Sequence, residues 1–370
     1  MKLSTAIRLA KMTTFAASVL ALAMTASVVD AGWIHVPDEV NHIQTLPIDD
    51  LDDYKSVSII EKNKGAVHLD KQKRITGIHF PSTQRPRKHF EEVLSLVKKL
   101  KHIEAVSITI SDINDAELEC LAHLANLKWV HLTSSNVTDN GLKQIAKHTK
   151  LEELRLGGNL TDAGISSLAP LQELRKLAIY SRGFSGSGWK DMPLFPKLEV
   201  FETIPLNDEG LKGLAKNTSL KKLVLIDADL TNAGMKSIGK LVNLEELSLE
   251  NRNIDDDGVK ELAPLRNLKS LSLHGTKITG KSLVTIGGLT NLEGLGLANT
   301  RIADADLIHL LGLQKLKVLG LGNTKVSDPG IVPLAGLKSL RALHVEGTQV
   351  TPEGRRQFLK LRPLVDVELK

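Results

Sequence analysis

Aromatic residues are scarce, at 3% of 370 residues. That excludes a core built on large rings. Hydrophobic residues still reach 42%, so the interior has to be Leu, Ile, Val and Ala, which suit thin stacked layers. Cysteine is nearly absent. Cys120 stands alone, so neither an intrachain disulfide nor a cysteine-based zinc site can form. Cys120 itself reads as a small, half-buried apolar residue of a repeat helix. A strong excess of one charge is missing too. The net charge is +5, and +3 once Lys2, Arg8, Lys11 and Asp30 are set aside with the N-terminal segment. A nucleic-acid binder carries a concentrated basic face. The densest basic run, Arg85-Pro86-Arg87-Lys88-His89 with Lys98, Lys99 and Lys101, is interrupted by Glu91 and Glu92. It reads as a solvated loop and helix face, and no nucleic-acid partner is expected.

Catalytic signatures are also lacking. HExxH, GxSxG, CxxC, the P-loop and the paired-glycine dinucleotide motif do not occur. Gly183-Phe184-Ser185-Gly186-Ser187-Gly188 resembles a phosphate loop in glycine content alone. It lies inside a repeat whose apolar positions are taken by Phe184, Trp189, Met192 and Phe195. The histidines are scattered without metal-ligand spacing. The expectation is a protein with no catalytic residue, no cofactor and no metal.

The N-terminus carries a targeting pattern. Lys2, Arg8 and Lys11 precede an apolar run from Thr13 to Val29, and Val29-Asp30-Ala31 offers the small residues a signal peptidase reads. A signal peptide over 1–31, cleaved after Ala31, is expected, with export to the periplasm, the cell envelope or the medium. The run is long for such a segment, so retention as an anchor is the alternative. No later run approaches the length of a membrane span.

What the chain does contain is a repeat. The pattern LxxLxL begins at Ile103, Leu127, Leu151, Leu174, Leu198, Leu220, Leu244, Leu268, Leu292, Leu316, Leu340 and Leu364, at intervals of 24, 24, 23, 24 and 22 residues and then 24 six times. Within a unit, Leu295 and Leu297 are two apart and share one face of a strand. Leu307, Leu310 and Leu313 follow helical spacing. Thr138-Asp139, Thr161-Asp162, Thr231-Asn232, Ser327-Asp328 and Thr351-Pro352 mark helix starts, where a hydroxyl accepts from free N–H groups and an acid suits the helix dipole. Gly141, Gly164, Gly210, Gly234, Gly258, Gly330 and Gly354 recur shortly after, where the chain crowds its neighbour. Thr276, Thr300, Thr324 and Thr348 should bond to turn backbone. One unit cannot stabilise itself, so burial between neighbours must hold the array together.

The units GTKITGKSLVTIGGLTNLEGLGL and NTKVSDPGIVPLAGLKSLRALHV resemble the leucine-rich-repeat superfamily, in its 24-residue TDxGLxxLxxL class. Similar units occur in exported bacterial repeat proteins and in the repeat arms of F-box proteins; an export signal in place of an F-box-like domain points away from a ubiquitin-ligase role. The resemblance covers residues 66–370. It implies an α/β solenoid with a curved parallel sheet on the concave face and short helices on the convex face. It also implies recognition of a protein or glycan ligand on the concave face. The organisation expected is a signal peptide over 1–31, a weakly ordered arm over 32–65, a cap of hairpin and helix over 66–102, and about twelve repeat strands over 103–370.

Positions three, five and seven of each unit face out from the sheet. In three successive strands they read Trp129, His131, Thr133; Glu153, Arg155, Gly157; and Lys176, Ala178, Tyr180. Trp, Tyr and Arg are the residues of interface hot spots. Trp129, His131, Glu153, Arg155, Lys176 and Tyr180 are therefore the candidate ligand-binding set, the alternative being that Trp129 shields the sheet near the cap. Gly294, Gly296, Gly320 and Gly322 leave the later strands bare. Either the sheet curves tightly there or a partner's backbone comes close. Asp366 and Glu368, outward on the last strand, should repel a second edge and keep the chain monomeric. The function expected is an exported binding scaffold. The alternatives are a structural envelope component acting by self-association and a substrate-recognition module of an enzyme complex.

Overall fold

The computed structural model describes residues 34–35, 59–60, 65–71, 74–80, 87–108, 113–132, 135–181, 183–226, 228–250 and 253–369. The signal segment, most of the 32–65 arm, part of the basic run at 85–89, and Thr133 lie outside the described residues. Two compact units are present: Met1–Ile110 with Cys120–Leu127, and Ser111–Glu119 with Lys128–Lys370. Among the described residues, no helix is long and apolar enough to cross a membrane.

In the first unit, β1 (Ile34–His35) pairs antiparallel with β2 (Ala66–Leu69), and β2 with β3 (Ile75–Phe80). β3 runs parallel to β4 (Ala105–Ile108). Parallel neighbours need a crossover, which the helix Arg87–Val97 supplies. Ile75, Ile78 and Phe80 of β3 and Val93, Leu96 and Val97 of the helix are buried. Cys120 is fully buried rather than half-buried.

The second unit is a run of eleven strands: β5 (Trp129–Leu132), β6 (Glu153–Gly157), β7 (Lys176–Tyr180), β8 (Val200–Ile204), β9 (Lys222–Leu225), β10 (Glu246–Leu249), β11 (Ser270–Ser272), β12 (Gly294–Gly296), β13 (Val318–Gly320), β14 (Ala342–His344) and β15 (Asp366–Glu368). Each pairs in parallel with the next. A short α- or 3-10 helix follows each strand from β5 to β14. This is an α/β solenoid, and the repeat period sets its register. Leu154, Leu177, Phe201, Leu223, Leu247 and Leu271 lie directly opposite one another in successive strands, and all are buried. The scarce aromatics gather around the unit that begins at Leu174, between the two units whose period shortens. Trp189 packs edge-on against Phe184 at 5.4 Å and against Phe201 at 5.0 Å. There a single 3-10 turn, Gly188–Asp191, stands in place of a longer helix, and rings fill the volume.

The Thr-Asp-x-Gly motif acquires a mechanism that links units. Thr161 donates its N–H and hydroxyl to the Asp139 carboxylate of the preceding unit at 2.9 and 2.6 Å. Thr231 does the same to Asp208 at 2.9 and 2.6 Å, Thr279 to Asp256 at 2.8 and 2.6 Å, and Thr351 to Asp328 at 2.7 and 2.7 Å. The hydroxyls of Thr138, Thr231, Thr279 and Thr351 also cap their own helices. The acid in the first turn thus does more than suit the helix dipole: it holds the next unit's cap. The glycine explains itself in the same geometry. A Cβ on Gly164, Gly234 or Gly354 would strike the preceding unit's Asp139, Asp208 or Asp328 carboxylate.

Two further features recur along the unit. Thr276, Thr300, Thr324 and Thr348 donate to the carbonyl three residues back at 2.8, 2.6, 2.6 and 2.6 Å. Each bond stays within its own turn. The residue before each threonine is Gly275, Asn299, Asn323 or Gly347, all at positive φ, a conformation that favours Gly and Asn. At position two of each unit, charge alternates from Glu152 through Arg175, Glu199, Lys221, Glu245, Lys269 and Glu293 to Lys317. An in-register parallel sheet stacks equivalent positions, so a constant charge there would repel. Alternation instead gives Lys221–Glu199 at 3.0 Å, Lys269–Glu245 at 2.5 Å and Lys317–Glu293 at 2.5 Å.

Candidate functional site

Strand alternation and register bring the six candidate residues onto one face. Val130, Leu132, Leu154, Leu156, Leu177 and Ile179 point into the core, so the residues between them point out. Trp129 lies opposite Glu153, which lies opposite Lys176; His131 lies opposite Arg155. Tyr180 lies opposite Gly157 and Ile204.

The face divides into two linked charge clusters. His131 Nε2 stands 2.7 Å from Glu153 Oε1, and Lys176 Nζ stands 3.3 Å from Glu153 Oε2. One step along, Tyr180 donates its hydroxyl to Glu202 Oε2 at 2.6 Å, and Arg155 places a guanidinium nitrogen 3.7 Å from the same oxygen. Glu153 and Glu202 are only 6% and 7% exposed although they sit on the outward side, because the longer side chains fold over them. The Arg155 side chain is 13% exposed, and its Nε is buried with no hydrogen-bond partner. Trp129 and Tyr180 are half-buried, so part of each ring reaches solvent.

Burial by itself pushes the Glu153 carboxyl up. The hydrogen bond and charge of His131, and then Lys176, outweigh it and hold the carboxyl at about 2. Burial also pushes the Tyr180 phenol up, and the negative charge of Glu202 and the hydrogen bond to it add to that. The hydroxyl therefore stays protonated and donates. A folded-state pKa below the ordinary value of 4.5 means that the Glu153 carboxylate stabilises the fold above that pH. The contribution is lost as pH falls from about 4.5 through about 2. Glu153→Gln should flatten the acid limb of the stability profile in that window. Urea melts between pH 2 and pH 6 check this, and an unchanged slope would mean that the His131–Glu153–Lys176 contact does not persist in solution.

Glu202 belongs to this site and was missed by the sequence reading. Its signal was there: it holds position five of the next unit, the place Arg155 and His131 hold in theirs. Gly157 and Ala178 add no functional group to the face, and Ala178 is buried. At Gly294 and Gly320 the bare surface does not arise from crowding, whereas a Cβ on Gly322 would press on the Glu346 carbonyl oxygen at 3.3 Å. A Cβ on Gly294 would make ordinary contact, 3.6 Å from Ser270 Oγ, and one on Gly320 would lie 3.8 Å from its nearest neighbour.

Comparison with known proteins bears on the fold. Residues 216–239 match a family model described as leucine-rich repeat. The fold is similar to that of an internalin from Listeria monocytogenes, with a TM-score of 0.56 and 18% identity, covering 88% of this chain and 96% of that one. A leucine-rich-repeat protein from Leptospira interrogans aligns with a TM-score of 0.47 and 19% identity, covering 74% of this chain and 80% of that one. No curated protein matches the sequence.

Proposed function

We propose that this leucine-rich-repeat chain is an exported binding scaffold that recognises a protein ligand through the open face of β5 to β8. The observation that carries the reading is the preorganised cluster there. Trp129 and Tyr180 offer exposed ring surface beside charged groups whose rotamers are already held by the His131–Glu153–Lys176 and Arg155–Glu202–Tyr180 contacts. Fixing side chains before binding lowers the entropic cost of association. Arg155, itself largely buried, serves the face by holding the Glu202 carboxylate in place. Binding fits this face better than catalysis does. Each of its two buried carboxylates is already engaged by donors and cations, which leaves neither as a free base.

The expected behaviour is specific. Using the chain lacking residues 1–31 as bait on an envelope extract, the wild type should retain a ligand. Trp129→Ala combined with Tyr180→Ala should weaken binding of that ligand at least about 30-fold, the scale of hot-spot residues, while the circular dichroism spectrum stays that of the wild type. Undiminished affinity for the same ligand would remove the site from this face. The export half of the reading rests on Lys2, Arg8, Lys11, the apolar run and Val29-Asp30-Ala31. N-terminal sequencing of the mature protein should start at Gly32; a chain that still starts at Met1 speaks against cleavage.

A further inference from the structure

The last strands carry a second polar group, at the other end of the sheet from Trp129. Gly320 of β13, His344 of β14 and Glu368 of β15 lie side by side in register. Glu346 follows His344 by two residues, with buried Val345 between them, so the two side chains share the outward face. His344 Nδ1 is 2.8 Å from Glu368 Oε2 and 3.7 Å from Glu346 Oε1. One ligand atom from each of the three residues lies within 4.8 Å of the others.

Two features separate this group from the face of β5 to β8. The first is the donor set. Glu153 meets both an imidazole and an ammonium, and Glu202 meets a guanidinium and a phenol. Here two carboxylates gather around one imidazole, an oxygen-rich donor set with a single nitrogen. The second is space. Gly320 adjoins His344, and a Cβ on Gly322 would come within 3.3 Å of the Glu346 carbonyl oxygen and 3.4 Å of its Oε2. Gly294 and Gly320 have room for a methyl group, so packing does not force the bare surface at those two positions. A side chain in place of Gly320 or Gly322 would cover the approach to the cluster.

We propose that His344, Glu346 and Glu368 bind a divalent transition-metal cation, with its remaining coordination positions open toward the glycine-lined strands. The distances allow it. Nitrogen and oxygen ligands sit about 2.1 Å from such an ion, so two of them lie about 3.4 Å apart in a tetrahedral site. Small rotations of the flexible glutamates bring the present spacings of 2.8 and 3.7 Å to that value. The donor set selects the class of ion. Calcium and magnesium take oxygen ligands, whereas imidazole suits zinc and its neighbours. The strand ladder holds two of the ligands from behind: Val345 donates its N–H to the Glu368 carbonyl, and Asn323 to the Glu346 carbonyl.

Calorimetric titration of the chelator-treated full chain with zinc chloride tests this. One saturable site per chain is expected in the wild type. His344→Ala and the isosteric Glu368→Gln should each weaken it at least about tenfold, a smaller loss than removal of a ligand can cause, since outer-shell changes alone reach that scale. His309→Ala, exposed on the helical side, should leave it intact. Thermal melts confirm that each variant folds, and Glu368→Gln carries the test if His344→Ala does not. The proposal is overturned by the absence of a saturable site, by zinc binding undiminished in a folded Glu368→Gln, or by calcium bound as tightly as zinc.

Discussion

Leu247→Asp is expected to unfold the solenoid far beyond its own repeat. Leu247 is 1% exposed and lies in register between Leu223 and Leu271. The aspartate would be flanked by buried leucine on both sides. Leaving a buried charge uncompensated costs about 3–5 kcal/mol. A repeat core is shared with its neighbours, so the loss is not confined to one unit. For an array of this size the melting temperature should fall by roughly 10 °C or more, at about 2–4 °C per kcal/mol. Circular dichroism melts of the purified chain give the answer. A wild-type transition would mean that the leucine column does not form the core.

Gly213→Ala should be nearly as damaging, for a different reason. Gly213 lies in the helix Asp208–Leu214. A Cβ there would strike the Trp189 carbonyl oxygen and come within 2.7 Å of the Lys190 Cα and carbonyl oxygen. These are backbone atoms and cannot swing aside, so the helix has to shift off the turn that carries Trp189. Overpacking of this kind costs about 1–3 kcal/mol or more. Gly294→Ala is the internal contrast. Its added methyl meets nothing closer than 3.6 Å, so it should be neutral or stabilise by up to about 1 kcal/mol through the unfolded chain. Urea denaturation of the two variants side by side decides the matter. Equal midpoints would show that the close approach at Gly213 is absent.

Much of the architecture was legible in the residue order. The leucine period places the twelve strands from β4 to β15 because strand alternation and helical spacing are local properties of the chain. Thr138, Thr231 and Thr351 were legible as caps for the same reason, since a cap bonds to groups two or three residues away, whereas Thr161 and Ser327, read the same way, make no cap bond and turn their hydroxyls to the preceding unit's carboxylate. The Asp139–Thr161 bond was not legible. Its partners are 22 residues apart and meet only because the units stack in register. The glycines of the Thr-Asp-x-Gly motif were legible as points of crowding, but not what crowds them, which is the preceding unit's carboxylate.

The sites follow the same division. That Trp129, His131, Glu153, Arg155, Lys176 and Tyr180 share one face follows from the repeat and the period of two. That Glu153 is buried and held ionised, that Tyr180 donates to Glu202, and that His344 gathers Glu346 and Glu368 could not be read from spacing. His344 and Glu368 are 24 residues apart, one whole repeat, which no linear metal motif encodes. By itself the sequence determined the repeat, its strand and helix elements, and which residues face outward, because those depend on neighbours along the chain. Only the tertiary structure decided which charges meet, which glycines are sterically required, and which are merely bare. Those depend on the contact of one repeat with the next, where side chains distant in sequence come within hydrogen-bond distance.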